Sequence, residues 1–184
     1  MDFDANEGVD RISDLPNHIL CHILSFLPTK YAVGTSVLST RWRYLWTSVP
    51  VFNFDGRLHG GFNSIFNMNV FLESEITFRN VVNRVMLLNS IPNIQKFRLV
   101  YDCHYNAAPI FTWLQVGISH CILELNLDFC LSVLMELMML PKNFFMRCTL
   151  VVLKLSRMPL IVPSFVSFPK LKVLEIRRMV YLDD

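Results

Sequence analysis

Two rhythms of apolar residues divide the chain near Trp46. Leu15, Ile19 and Ile23 recur every four residues, with Leu20, Leu24 and Leu27 in an adjacent row. This is the wide apolar stripe of an amphipathic helix. Pro16 fits its first turn, beside Asp14 at the positive end of the helix dipole, and Pro28 ends it. Thr29 is a suitable N-cap for a second helix carrying Ala32, Val33, Val37 and Leu38, which Gly34 weakens. Ser39 is placed to cap a third, with Trp42, Leu45 and Trp46 on one face and Arg41 and Arg43 off it, toward solvent or a partner's rim. Three short helices in so few residues expose more apolar surface than they bury among themselves, so the unit needs a neighbour.

Beyond Trp46 the pattern apolar-x-x-apolar-x-apolar appears at Val49/Phe52/Phe54, Ile94/Phe97/Leu99, Ile122/Leu125/Leu127, Leu150/Leu153/Leu155 and Leu171/Leu174/Ile176. The last four copies start at 94, 122, 150 and 171, separations of 28, 28 and 21. That spacing is the signature of leucine-rich repeats, in which each unit gives one short strand of a parallel sheet. A helical return is expected around Phe78, Val81, Val82, Val85 and Leu88, and another around Ile110, Trp113 and Leu114 with Gly117 as its stop. Pro159, Pro163 and Pro169 make the last return non-helical, 56–69 reads as a loop, and 130–140 is apolar without an assignable form.

Composition sharpens the need for a partner. Hydrophobic residues make up 53% of the 184 and charged residues 17%, a thin polar covering. Seventeen basic against 15 acidic residues give a net charge of +2, too balanced to argue for nucleic acid, although "STRWRYLW" (39–46) interleaves rings and arginines as a single-strand platform does. Neither a signal peptide nor a transmembrane helix is expected, because the start is acidic and the charge-free stretch 103–123 contains His, Asn, Gln and Pro. An intracellular chain, in cytoplasm or nucleus, is the expectation. The five cysteines form no Cys-x-x-Cys pair, and Cys103-His104 with His120-Cys121 has the wrong spacing for zinc. His18 and His22, one turn apart, lack a third ligand nearby. No catalytic, cofactor-binding or metal-ligating set is expected.

The stretch "DRISDLPNHILCHILSFLPTKYAVGTSVLSTRWRYLW" (10–46) resembles the F-box of plant F-box/leucine-rich-repeat proteins, many of which end in an FBD domain. Its anchors are Leu15-Pro16, Ile23-Leu24-Ser25, Leu27-Pro28-Thr29-Lys30 and Arg41-Trp42-Arg43, and Leu140-Pro141, 149–155 and Pro169-x-Leu171-Lys172 resemble the repeat region. Asn17-His18 and Thr40 depart from the acidic and basic residues the family often has there. The resemblance implies an α+β protein: a tail at 1–9, a three-helix F-box at 10–47, and at 48–184 a partial leucine-rich-repeat solenoid with a parallel sheet, truncated after its early repeats. It implies a non-catalytic substrate receptor of an SCF-type cullin ubiquitin ligase. The F-box would dock on the cullin-linked adaptor and the repeats would hold a protein substrate. The alternative is a non-delivering F-box protein that occupies the adaptor and competes with full-length relatives. The adaptor-binding candidates are Leu15, Pro16, Ile19, Leu20, Ile23, Leu24 and Leu27, with Val37, Trp42, Leu45 and Trp46. They divide between the unit's own core and the adaptor surface, and periodicity alone does not say how.

Overall fold

The computed structural model describes residues 11–58, 68–89, 91–103, 108–131, 140, 144, 149–161 and 164–181. Two helices open the chain, α1 (Asn17–Ser25) and α2 (Thr29–Gly34), followed by short 3-10 turns at Thr35–Val37 and Trp42–Ser48. All five copies of the repeated pattern then lead into strands. These are β1 (Val51–Asp55), β2 (Lys96–Cys103), β3 (Glu124–Leu131), β4 (Val152–Ser156) and, beyond the two-residue β5 (Pro159–Leu160), β6 (Val173–Arg177). Helix α3 (Met68–Leu88) separates β1 from β2, and α4 (Ala108–Ser119) separates β2 from β3. The sheet order is β1-β2-β3-β4-β6, every neighbouring pair parallel, and β5 pairs separately with β7 (Val180–Tyr181).

The register explains why the pattern repeats. Phe52, Phe97, Leu125, Leu153 and Leu174 stand opposite one another across the strands, as do Phe54, Leu99, Leu127, Leu155 and Ile176. Two apolar ladders thus run the width of the sheet, both on one face because side chains alternate along a strand. On β1 to β4 these residues are buried; on β6, Leu174 and Ile176 are exposed. Helices α3 and α4 cover the same face. Tyr101 of β2 stacks on Phe78 of α3 at 5.3 Å and meets Trp113 of α4 edge-on at 5.8 Å. Trp113 Nε1 donates to Asn83 Oδ1 at 2.7 Å, so the buried indole N–H has its acceptor.

Several local expectations change. Thr29 does not cap α2: Pro28 holds that position, and Thr29 is a buried first residue whose Oγ1 accepts the backbone N–H of Asn53 on β1 at 2.8 Å. The segment expected as a third helix is the 3-10 turn Trp42–Ser48, with no side-chain cap. Gly117 lies inside α4, not at its end, where a Cβ would sit 3.4 Å from Phe97 and Ile122, at ordinary contact distance. The region read as a loop at 56–69 begins with a 3-10 turn, Gly56–Leu58, and is already helical at Met68; 59–67 lie outside the described residues, as do 132–139 of the unassigned return. On α3, Phe78, Val82 and Val85 are buried while Leu88 is exposed.

Strands β4 and β6 carry a repeat visible only in register: "VLKLSRMPL" (152–160) and "VLEIRRMVY" (173–181). Arg157 and Arg178, at equivalent places, are the two non-glycine residues with positive φ among those described, 54° and 50°. The left-handed residue turns each chain from the main sheet to the β5–β7 pair, and Arg157 N–H donates to Arg177 O at 3.0 Å.

The helical unit and the sheet share one core. Leu20, Leu24, Ala32, Trp42, Leu45 and Trp46 are continuous with Val49, Phe52 and Phe54. The neighbour that the small unit needs is therefore, in part, its own sheet. Thr29→Val leaves the Asn53 N–H without a partner in a buried site and is expected to cost about 1–3 kcal/mol, whereas Thr29→Ser retains the acceptor and loses less. Urea denaturation of the two variants measures the difference.

Candidate interaction surfaces

Helix α1 presents two distinct apolar rows. Leu20 and Leu24 face inward and are buried against the 3-10 turn that carries Trp42, Leu45 and Trp46, all buried too. Leu15 and Leu27 are half-buried at the margins of that core. Ile19, Ile23 and Phe26 form a stripe at i, i+4 and i+7 that faces out, with Phe26 73% exposed, and Pro16 is exposed at the start of the helix. Val37 is 85% exposed, and Leu38 and Tyr44 are exposed on the turns that follow. Of the eleven candidates, five thus belong to the chain's own core, two lie at its edge, and four (Pro16, Ile19, Ile23 and Val37) offer free surface. Phe26, Leu38 and Tyr44 were not among the candidates. Phe26 continues the Ile19–Ile23 row by helical spacing, so that signal was in the sequence.

Arginine 41, expected as a solvated or rim charge, is exposed and also fastens the entry to α1. It donates to Ser13 O and Leu15 O, and to Asn17 Oδ1 from Nε at 3.1 Å and from Nη2 at 2.9 Å. Those carbonyls precede the helix and have no helical donor, and a planar guanidinium reaches several at once. Asn17 serves as its side-chain acceptor. Trp46 Nε1 donates to Arg43 O at 3.1 Å. Cys21 Sγ lies 3.6 Å from Leu45 O, and burial pushes its thiol pKa up. His22 meets Phe26 edge-on at 5.0 Å. Among the described residues no three His, Cys, Asp or Glu side chains gather as a metal site, and no helix is long and apolar enough to cross a membrane.

The second surface is the face of the sheet opposite the helices. Its middle row reads Asn53, Arg98, Asn126, Lys154, Glu175 across the strands, and the next row Asp55, Val100, Asp128, Ser156, Arg177. Asp55 accepts three bonds from Arg57, from its backbone N–H at 3.1 Å, Nε at 2.8 Å and Nη2 at 2.6 Å, and one from Arg98 at 3.3 Å, while Arg98 also reaches Asn53 Oδ1 at 2.9 Å. Burial raises the Asp55 pKa, but the Arg57 hydrogen bonds and the charges of Arg57 and Arg98 outweigh it and hold the carboxyl below its ordinary 3.8. Glu175 sits between Lys154 at 2.9 Å and Arg177 at 2.5 Å. The Lys154 hydrogen bond lowers its pKa most, desolvation opposes it, and the charge of Arg177 adds to the lowering. Lys96 pairs with Glu124 at 3.2 Å and Arg157 with Asp128 at 2.7 Å, and the Asp128 charge also acts on Arg57.

With both surfaces described, the comparisons fall into place. Residues 12–54 match the F-box domain, a stretch that takes in α1, α2, both turns and nearly all of β1. Over almost its whole length the chain is similar to proteins of Arabidopsis thaliana. It is 36% identical to an F-box/FBD/LRR-repeat protein over 178 residues, covering 95% of this chain and 39% of that protein. Another F-box/FBD/LRR-repeat protein is 36% identical, with 97% of this chain and 38% of the relative covered. An F-box/LRR-repeat protein is 38% identical, with 91% and 34% covered. The chain thus spans less than two fifths of the length of these three relatives. No solved structure matches it. The chain contains an F-box domain at residues 12–54, and over almost its whole length it is similar to F-box/leucine-rich-repeat proteins of Arabidopsis thaliana.

The lowered pKa of Asp55 has a consequence for stability. Its folded value lies below the unfolded one, so its contribution is complete above the ordinary value of 3.8 and disappears as pH falls through the lower folded value. Asp55→Asn is expected to cost about 1–2 kcal/mol at pH 6, the scale of lost charge-assisted hydrogen bonds, with the gap to wild type closing below pH 3.8. Thermal melts of the two proteins across this range provide the check.

Proposed function

We propose that this chain is a substrate-receptor subunit of an SCF-type cullin ubiquitin ligase. The F-box would dock on the cullin-linked adaptor, and the sheet, read as the opening part of a leucine-rich-repeat solenoid, would hold a protein substrate. The observation that carries the proposal is the outward stripe of Ile19, Ile23 and Phe26 on α1, set on a helix whose other side is sealed by Leu20 and Leu24. Such a stripe is a ready surface for a partner helix or groove. Pro16 and Val37 extend the available surface, while Leu20, Leu24, Trp42, Leu45 and Trp46 support it from within. Leu15 and Leu27, at the margin, would serve both.

The proposed role needs no catalytic group on this chain. A receptor works by holding a substrate lysine near a ubiquitin-charged enzyme on the same scaffold, which replaces a bimolecular encounter with a high effective concentration. Work of this kind is done inside the cell, where the scaffold is.

Ile23→Asp puts a charge on the proposed contact without touching the core. It is expected to keep the wild-type melting temperature and to weaken capture of the cullin-linked adaptor at least thirtyfold, the scale of a lost apolar hot spot of about 2 kcal/mol. Leu20→Ala is expected instead to destabilise the fold by about 2–5 kcal/mol. Co-purification with the adaptor, alongside thermal melts, reads both; undiminished capture by folded Ile23→Asp contradicts the proposal.

A further inference from the structure

We infer that the polar face of the sheet takes an acidic, extended segment of a protein substrate. The inference rests on the reading of that sheet as the substrate-holding part, and it adds the chemistry of what is held. In the ion pairs of this face among the described residues, six cations (Arg57, Lys96, Arg98, Lys154, Arg157 and Arg177) share four carboxylates. The excess is not spread evenly. Among the described residues, Asp55 is divided between Arg57 and Arg98, and Glu175 between Lys154 and Arg177. Each of these triads sets two cations against one carboxylate, with the Asp128 charge also acting on Arg57.

The triads stand on opposite sides of Asn126. Arg98 on β2 and Lys154 on β4 occupy the same row, one strand to either side of it. Two strand spacings separate them, about 10 Å. An extended peptide lying across the strands rises about 3.3 Å per residue, so carboxylates about three residues apart reach both cations. Asn126, half-buried between them, carries an amide that can donate to and accept from the backbone of such a peptide. The cations are open to a ligand, with side-chain exposures of 26% for Arg98, 41% for Lys154, 60% for Arg57 and 70% for Arg177. Two such triads suit a segment with a few carboxylates. A nucleic-acid strand calls for a continuous basic track, and a chain of net charge +2 does not have the balance for one.

The test is fluorescence anisotropy with the full chain and a labelled twelve-residue Gly/Ser peptide carrying two Glu-Asp pairs three residues apart. The acidic peptide is expected to bind at least tenfold more tightly than its uncharged counterpart, and a single-stranded oligonucleotide of equal charge to bind more weakly. Arg98→Gln/Lys154→Gln is expected to weaken peptide binding at least tenfold, and Arg79→Gln, on α3, to leave it unchanged. Should the double variant lose its wild-type melt, Lys154→Gln alone is expected to weaken binding about threefold. Equal affinity for the uncharged peptide, undiminished binding by the folded variant, or tighter binding of the oligonucleotide overturns the inference. Its failure is separable from that of the receptor reading: adaptor capture without a preference for the acidic peptide sinks this inference alone, and the reverse result sinks the adaptor contact alone.

Discussion

The whole structure depends on keeping two apolar residues of every strand in step with those of the next. A one-residue slip between parallel strands would turn the ladder residues toward the polar face and leave charged residues such as Arg98 and Lys154 facing the helices. The register holds from Phe52 to Leu174 and from Phe54 to Ile176. Everything else is placed relative to it: α3 and α4 through Phe78, Tyr101 and Trp113, and the charged row on the opposite face through the alternation of side chains.

The F-box helices use that constraint rather than standing apart from it. Three short helical segments hold too little core to be comfortable alone. Here Leu45 and Trp46 run on into Val49 and Phe52, and Thr29 takes the Asn53 N–H on the outer edge of β1. An exposed strand edge is a liability, and α2 covers this one. At the other end, β6 shows Leu174 and Ile176 at its surface. With its inner side committed to the sheet, the F-box turns Ile19, Ile23 and Phe26 outward, and the two proposed activities fall on separate surfaces joined by one core.

The strands were legible because their signal is local: an apolar pair at period two, repeated at a regular distance, needs no knowledge of the rest of the chain. The same was true of the stripe on α1, although its two rows look alike in sequence. Leu20 and Ile23 are equally apolar, and only the position of Trp42 and Trp46 decides which of them is buried. Contacts between distant residues were not legible. Thr29 scores as a cap on local grounds, yet its hydroxyl serves a strand 24 residues on, and Arg41 reaches back 28 residues to Ser13. Gly117 looked like a helix stop, but it lies within α4, packed toward Phe97 and Ile122 on other parts of the chain. The Trp42/Leu45/Trp46 spacing does not distinguish the 3-10 form of Trp42–Ser48 from an α-helix.

The central claim is that one small helical unit divides its apolar residues between a core sealed by the sheet and an outward surface proposed to meet the adaptor. Hydrogen exchange of the chain, alone and mixed with the cullin-linked adaptor, tests it most directly. The expected result is new protection confined to α1 and to the segment from Val37 to Tyr44, with the strands β1 to β4 exchanging as slowly as before. Protection that appears on the sheet while α1 exchanges unchanged contradicts it.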